Sequence, residues 1–259
     1  MYELPVELIQ KIIRHLPQKD RVTVSQLSKR LNGFTKDVVF NSIYMKDQEA
    51  VDRWGDLSKD FRAWIMNRCQ SLSCTIDTSE VISEHKDSDK YLIFFAGYLN
   101  HFEKLTSLHL AKVSLVDPRF IEHSQPHIKE LTLRKCYSTL EAFATLVDKF
   151  PNLTHLTLIE IHDCSADAVA GSPPQLSNSP PESSRKLSIA DFFGDVSFLN
   201  IIFSVPWDEV SILEGTGSDR LDPQCFIDCA SRSLKRLDVQ DNKLRCTYRG
   251  LPTIVPWEC

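Results

Sequence analysis

The sequence predicts an α/β protein in which a short N-terminal group of helices is followed by an irregular solenoid, a horseshoe of stacked strand-and-helix units. Two observations support this fold class. Apolar side chains in about the first forty residues recur at the spacing of a helix. Farther along, a leucine-rich pattern recurs at steps that suit a repeat protein, and helical patterns lie between its copies.

The composition is that of an ordinary globular protein and excludes several functional classes. The chain has 259 residues, of which 42% are hydrophobic and 25% charged. A formal net charge of -5 argues against a general nucleic-acid-binding protein, which needs a basic face. No apolar run reaches the ~18 residues of a membrane span, and no basic segment precedes the first apolar stretch as in a signal peptide. We therefore expect a cytoplasmic or nuclear protein that binds neither nucleic acid nor membrane.

The sequence shows no pattern that is typical of a catalytic or cofactor site. Its eight cysteines include no CxxC pair, so we expect reduced thiols rather than a structural zinc site. They are also too sparse for the disulfide framework of a small secreted protein. The sequence lacks the dinucleotide-binding, phosphate-loop, HExxH and GxSxG patterns as well. We therefore predict a protein that needs no metal or cofactor and is not an enzyme.

Two or three short helices are predicted in the first part of the chain. The first begins at Pro5, since a missing N–H costs nothing in the first turn, and it ends before Pro17. Asp20 is the expected N-cap of the second helix, and a third piece at 28–32 is expected to stop at Gly33. Their apolar side chains are Leu8, Ile9, Ile12, Ile13 and Leu16 on the first helix, and Val22, Val24 and Leu27 on the second. This apolar surface packs either on the rest of the chain or on another protein.

The order of these features resembles an F-box domain. The matching segments are LPVELIQKIIRHLP and DRVTVSQLSKRLNGFTKDVVF, within residues 3–41. They hold a Leu-Pro-x-Glu-Leu opening, a first helix with paired aliphatic residues and a Ser-Lys-Arg segment at 28–30. The resemblance implies an F-box at 1–41 and a partner, the Skp-type adaptor that links F-box proteins to a cullin–RING ubiquitin ligase. The adaptor-binding residues that it implies are Leu4, Pro5, Leu8, Ile9, Ile12, Val24, Leu27 and Leu31, the last standing where many F-boxes have tryptophan.

The remainder of the chain, residues 42–259, repeats a pattern of the form LxxLxLxxN/C. Its copies start at Leu105, Ile128, Leu153 and Leu234, with weaker copies around Leu187 and Val210. The fourth position of each copy falls at 108, 131, 156, 187, 210 and 237, so the steps are 23, 25, 31, 23 and 27 residues. Leucine-rich repeats run about 20–29 residues, so only one step is long. The spacing resembles an irregular leucine-rich-repeat solenoid.

The intervals between these copies fit the same architecture. Helical patterns at 140–150, 192–203 and 225–230 lie between the expected strands. The long step contains a Pro/Ser-rich stretch, which predicts a disordered insertion at 165–185. An insertion of this kind accounts for the one long step.

The two ends of the repeat region are less regular. Residues 41–45 and 72–76 are predicted strands and 50–68 a predicted helix, which we interpret as irregular entry repeats. After Leu244 there is neither a helical pattern nor a polar cap, although a solenoid needs one. We expect an end that is truncated or replaced relative to a longer relative.

In leucine-rich-repeat geometry the non-leucine positions of each strand face the concave side, a surface that solenoids use for binding. These positions carry no dominant charge, so they do not name a substrate. An ordinary solvated sheet face is the alternative interpretation. The candidate substrate-binding residues are His109, Glu130, Thr132, Arg134, His155, Thr157, Arg236, Asp238 and Gln240.

An F-box followed by leucine-rich repeats resembles a large class of F-box proteins that is abundant in fungi. The resemblance implies a substrate-recognition subunit of an SCF-type ubiquitin ligase, which binds the adaptor through the F-box and a protein substrate through the repeats. Such a subunit performs no chemistry itself. The alternative is an interaction scaffold with no ligase role, in which the N-terminal helices cap the solenoid.

Overall fold

The fold consists of N-terminal helices followed by a mostly parallel β-sheet with helices, as seen in a computed structural model. The structure describes residues 4–75, 97–115, 125–163, 185–191, 202, 207–213, 236–240 and 245–249. The helices are α1 Val6–His15, α2 Gln18–Leu27, α3 Lys29–Val39, α4 Gln48–Asp56, α5 Lys59–Met66 and α6 Leu140–Asp148. The strands are β1 Ser42–Met45, β2 Ser71–Thr75, β3 Ser107–Ala111, β4 Glu130–Arg134, β5 Tyr137–Ser138, β6 His155–Ile159, β7 His162–Asp163, β8 Lys186–Ala190, β9 Glu209–Leu213, β10 Arg236–Gln240 and β11 Arg245–Arg249.

The three N-terminal helices follow one another with almost no loop between them. Pro5 and Pro17 stand at the N-cap positions of α1 and α2, where the missing N–H leaves no hydrogen bond unmade. The expected N-cap at Asp20 is wrong, because α2 already begins at Gln18 and places Asp20 in its first turn. There the carboxylate still favours the helix, since it lies near the positive end of the helix dipole.

Helix α3 is longer than predicted. Ser28 begins it, and its Oγ accepts a hydrogen bond from the Leu31 N–H at 3.1 Å. The expected stop at Gly33 is wrong, because the helix continues through that residue to Val39. A glycine ends a helix only where the backbone turns left-handed, and packing of α3 on α1 and α2 holds this glycine in the helix instead.

Nine strands form one sheet whose spatial order follows the chain, β1-β2-β3-β4-β6-β8-β9-β10-β11. Every neighbouring pair is parallel except β10 and β11, which run antiparallel. Short strands β5 and β7 pair in a second, parallel sheet. The α/β class and the N-terminal helices are therefore confirmed, whereas the leucine-rich-repeat solenoid stays a prediction.

Equivalent positions of the repeated pattern lie side by side in the sheet. Leu108 aligns with Leu131, Leu131 with Leu156, and the row continues through Leu187 to Val210. All five side chains are buried, as are those two positions farther along each strand. Because side chains alternate between the two faces of a strand, one face of this sheet is core and the other is open.

Each of four strands ends at a residue in the left-handed region. The φ angles are 58° at Lys112, 52° at Lys135, 52° at Glu160 and 48° at Asp191. Their N–H groups still donate to the next strand, for example Lys112 to the Arg134 carbonyl at 2.8 Å. The turn then buries the following residue, so Val113, Cys136 and Ile161 join the core.

Several predicted elements are found close to their expected bounds. The strands at 41–45 and 72–76 correspond to β1 and β2, and the helical pattern at 140–150 corresponds to α6. The single helix expected at 50–68 is wrong. It is divided into α4 and α5, because the chain is extended at 57–58 and Ser58 caps the second helix.

Other predicted segments lie outside the described residues. They are the insertion at 165–185 except for Arg185, the helical pattern at 192–203 except for Ile202, and the helical pattern at 225–230. Residues 245–249, which carry no helical pattern, form a strand beside β10. Within the described ranges, none of the helices is long and apolar enough to cross a bilayer.

Replacing Gly33 by Ala should stabilise α3, because glycine inside a helix costs roughly 0.5–1 kcal/mol relative to alanine. A Cβ at this position meets no heavy atom within 4 Å, so the change has no steric cost. We expect amide hydrogen exchange within α3 to slow by about two- to fivefold. The control is Gly97→Ala, which also meets open space but lies outside α3 and should leave that exchange unchanged. Faster exchange in the Gly33→Ala protein would contradict a continuous helix.

Candidate protein-binding surfaces

Helix α1 presents an apolar stripe to solvent. Leu4, Leu8 and Ile12 follow one another at intervals of four residues and are 55%, 47% and 52% exposed. Ile13, on the opposite side, is 2% exposed where α1 packs on α3. One short helix thus has two apolar faces, of which the fold uses one. Contiguous exposed apolar surface is typical of protein-interaction sites, which makes this stripe a candidate for one.

The remaining predicted adaptor-binding residues differ in exposure. Pro5 is exposed beside the stripe, and Leu27, at the end of α2, is 69% exposed. Ile9, Val24 and Leu31 are half-buried. Five of the eight predicted residues are therefore exposed, and the other three are partly covered by the packing of the helices.

Arg21 joins the ends of α1 and α3. Its Nε donates to the Leu16 carbonyl at 2.7 Å and its Nη2 to the Arg14 carbonyl at 2.9 Å. A longer bond of 3.5 Å links Nη1 to the carbonyl of Val38. These carbonyls lack partners within their own helices, and a cation is favourable at the negative end of a helix dipole. One half-buried guanidinium therefore fixes how the three helices meet.

Three aromatic side chains join these helices to the rest of the chain. Phe40, just after α3, packs edge-on against Phe61 and Trp64 of α5, with ring centroids 5.9 and 5.3 Å apart. Phe61 and Trp64 stack on each other at 5.8 Å, and the Arg68 guanidinium lies 4.2 Å from the Trp64 ring centroid. Such contacts contribute about 0.5–1.5 kcal/mol each beyond burial, so they hold the junction together.

The open face of the sheet carries three rows of side chains. The middle row holds His109, Thr132 and Thr157 side by side, and it continues through Ser188 and Ser211. On β10 it reaches Asp238. Hydroxyl groups therefore dominate the centre of this face.

The two outer rows differ in character. Along the N-terminal ends of the strands lie Ser107, Glu130, His155, Lys186, Glu209 and Arg236. Along the C-terminal ends lie Ala111, Arg134, Ile159, Ala190 and Leu213, and the backbone of Gln240 takes the same register position on β10. The first row is charged, whereas the second is mostly apolar. The structure thus places eight of the nine candidate substrate-binding residues in these rows and Gln240 at a matching register position, although Ala111 beside them is buried rather than open.

Electrostatic interactions are uneven across this face. Lys186 pairs with Glu209 at 3.0 Å, and Arg236 pairs with Asp238 at 2.7 Å. Burial, and to a lesser degree the nearby Arg134 cation, lowers the pKa of His109, so this ring is neutral near pH 7. It presents a hydrogen-bonding group rather than a charge.

The described residues offer little chemistry beyond binding. None of their His, Cys, Asp and Glu side chains forms a group of three that could hold a metal. Burial raises the pKa of Cys69 and Cys74 to about 12 and that of Cys136 to about 11. These thiols stay protonated and are poor nucleophiles, because the thiolate is the reactive form.

The comparisons with known proteins concern the N-terminal helices. Residues 1–43 match the model of the F-box domain. They are an F-box domain. The chain is also 39% identical over 49 residues to the F-box protein DAS1 of Saccharomyces cerevisiae (strain ATCC 204508 / S288c). That match covers 19% of this chain but only 7% of the relative's length.

The F-box domain contains features that sequence reasoning did not assign. Val22 is 39% exposed on α2, yet the resemblance gave it no role. Its place on the apolar side of the helix was the available signal. Arg21 had no signal, since an arginine in a polar stretch of helix is ordinary until its three carbonyl partners are known.

Replacing Arg21 by Lys should destabilise the F-box domain by about 1–3 kcal/mol, because a lysine cannot reach the carbonyls of two helices at once. Urea unfolding measures the loss of stability, and amide hydrogen exchange in α1 and α3 shows whether the loss falls on these helices. Arg14→Lys is the matched control, since the Arg14 side chain is exposed. Equal effects of the two substitutions would mean that Arg21 does not join the helices.

Cys69, Cys74 and Cys136 should resist alkylation by iodoacetamide at pH 8, where thiols with a pKa of about 11 or 12 are almost wholly protonated. In urea their pKa returns to about 8.5 and alkylation should be fast. Peptide mapping by mass spectrometry measures both rates. The control is Ser211→Cys, which puts a thiol on the open face and should react in the native state. Rapid native alkylation of the three buried cysteines would contradict this environment.

Proposed function

We propose that this chain is the substrate-recognition subunit of an SCF-type cullin–RING ubiquitin ligase. F-box domains bind Skp1-type adaptors in such ligases. The observation that carries the proposal is the exposed apolar stripe of α1 within a matched F-box domain. The F-box protein from yeast supports the same role, although it shares only a short segment with this chain.

The adaptor would cover the apolar side chains that the fold leaves in water. The proposed anchors are Leu8 and Ile12 on α1, Leu4 and Pro5 just before it, and Leu27 at the end of α2. The half-buried Ile9, Val24 and Leu31 would add their exposed parts to the same surface. A standard protein interface buries ~1,600 Å² in total, and each central anchor costs about 2 kcal/mol or more when truncated.

The second arm of the proposal is substrate binding by a leucine-rich-repeat solenoid formed by residues 42–259. It is supported by the lateral alignment of the buried leucines and by the left-handed turn that ends four successive strands. The proposed substrate-binding residues are the candidates already named on the open face of the sheet. That face has hydrogen-bonding groups in its centre and charges along one edge, which suits a protein ligand.

The proposed mechanism is proximity. The F-box domain would hold the ligase machinery, which performs the ubiquitin transfer, while the sheet would hold the target. Contacts of Phe40 with Phe61 and Trp64 join the two parts, so a bound substrate would stay at a set distance from the adaptor. We further propose that the protein acts in the cytoplasm or the nucleus.

A variant with Pro5→Ala, Leu8→Ala and Ile12→Ala should not form the 1:1 adaptor complex that the wild type forms on co-expression. Losing three exposed anchors removes several kcal/mol of binding free energy, which abolishes a stable peak in size-exclusion chromatography. The fold should survive, because the truncated side chains are exposed and contribute little to the core.

Two matched controls separate binding from folding. Leu213→Ala truncates a leucine of similar exposure on β9 and should leave the complex intact. Ile13→Ala removes a buried side chain of the same helix and should lower thermal stability. The triple variant should not lower it. A well-folded wild type that forms no complex would overturn the ligase role and favour the alternative of an interaction scaffold.

A further inference from the structure

Strand β4 carries two opposite charges that the sheet does not neutralise. Glu130 and Arg134 are both exposed, and neither forms an ion pair with another described residue. Elsewhere on this face, Lys186 pairs with Glu209 and Arg236 with Asp238. The charges of β4 are therefore available to a ligand, whereas the paired charges of β8, β9 and β10 already satisfy one another.

The spacing of these charges is set by the strand. Glu130 and Arg134 are four residues apart and point to the same face, so their positions differ by about 13 Å at a rise of ~3.3 Å per residue. Glu130 lies between Ser107 and His155 in the sheet, and Arg134 lies between Ala111 and Ile159. These two neighbours of Arg134 carry no charge, so they do not compete with it for an incoming carboxylate.

Between the two charges the surface offers hydrogen bonds. Thr132 stands midway along β4, flanked by His109 and Thr157 of the neighbouring strands. A hydroxyl both donates and accepts, and a neutral imidazole does the same through its two nitrogens. This strip can satisfy peptide groups that lie across it.

We propose that the open face of β4 binds an extended segment of a protein substrate in which a Lys or Arg residue and an Asp or Glu residue are four positions apart. The inference rests on the proposed substrate-binding role and adds the class of substrate. An extended chain places such residues about 13 Å apart on one side, which matches Glu130 and Arg134. A helical ligand fails this test, because its residues at the same separation are only about 6 Å apart along the axis.

The experiment measures binding of fluorescein-labelled peptide mixtures by fluorescence anisotropy. Each mixture has one Lys and one Glu at a fixed separation of two to six positions, in either order, among randomised uncharged residues. The full chain is used, in complex with the adaptor where that complex forms. We expect the separation of four to bind about two- to fivefold more tightly than the others, since an exposed ion pair contributes modestly. The advantage should shrink as salt is added.

A charge reversal provides the sharper test. Arg134→Glu leaves two acids on β4, so a further mixture with two lysines four positions apart should bind this variant more tightly than any mixture with one Lys and one Glu. The matched control exchanges an internal pair, Lys186→Glu together with Glu209→Lys, and should leave the preference unchanged. Equal binding at every separation, or a preference for Lys with Glu that persists in Arg134→Glu, would overturn the inference.

The outcomes also distinguish this inference from the proposed function. A chain that binds the adaptor but shows no preferred separation overturns the β4 site alone. A chain that prefers the separation of four but forms no adaptor complex keeps the β4 site and overturns the ligase role.

Discussion

Lateral stacking of aliphatic side chains across the parallel sheet is the constraint on which the rest of the structure depends. Leu108, Leu131, Leu156, Leu187 and Val210 lie side by side because each strand pairs with the next in the same register. A slip of one residue would turn every buried side chain to the open face, so the register is strongly fixed. The open rows are a consequence of this core and not a requirement for it. Their residues are therefore free to serve binding without a large effect on stability.

The sequence predicts most of the sheet because each copy of the pattern shows the same alternation of leucines, which indicates a strand with one buried face. It predicts less where a structure depends on contacts between distant residues. Gly33 predicts a helix stop, yet packing of α3 keeps this residue helical. Asp20 predicts an N-cap, yet Pro17 is the N-cap and α2 begins two residues before Asp20. The break between α4 and α5 was missed because Ser58 can cap a helix or lie inside one, and only its bond with Phe61 decides.

The candidate adaptor-binding surface is likewise predicted in part by local spacing and decided in part by contacts between helices. The spacing of Leu8, Ile9, Ile12 and Ile13 predicts one apolar side of α1 and does not tell which of the four reach solvent. Packing on α3 buries Ile13, and Leu8 and Ile12 are left outside. The resemblance to the F-box named the residues of this stripe as adaptor-binding, which stays a prediction. It did not name Arg21, whose hydrogen bonds depend on carbonyl groups of Arg14 and Leu16 that only the folded chain brings together.

The two proposed binding surfaces differ in chemistry, and this difference sets how each would behave. An apolar stripe buries hydrocarbon, so its affinity is high and nearly independent of salt. The polar face of the sheet binds through charges and hydroxyl groups that water also satisfies, so its affinity is lower and falls as salt rises. In a ligase, a lasting bond to the adaptor and a reversible bond to the substrate are what turnover requires. In the proposed role, packing of Phe40 on Phe61 and Trp64 would join the adaptor contact to the substrate contact, so that each released substrate would be replaced at the same distance from the adaptor.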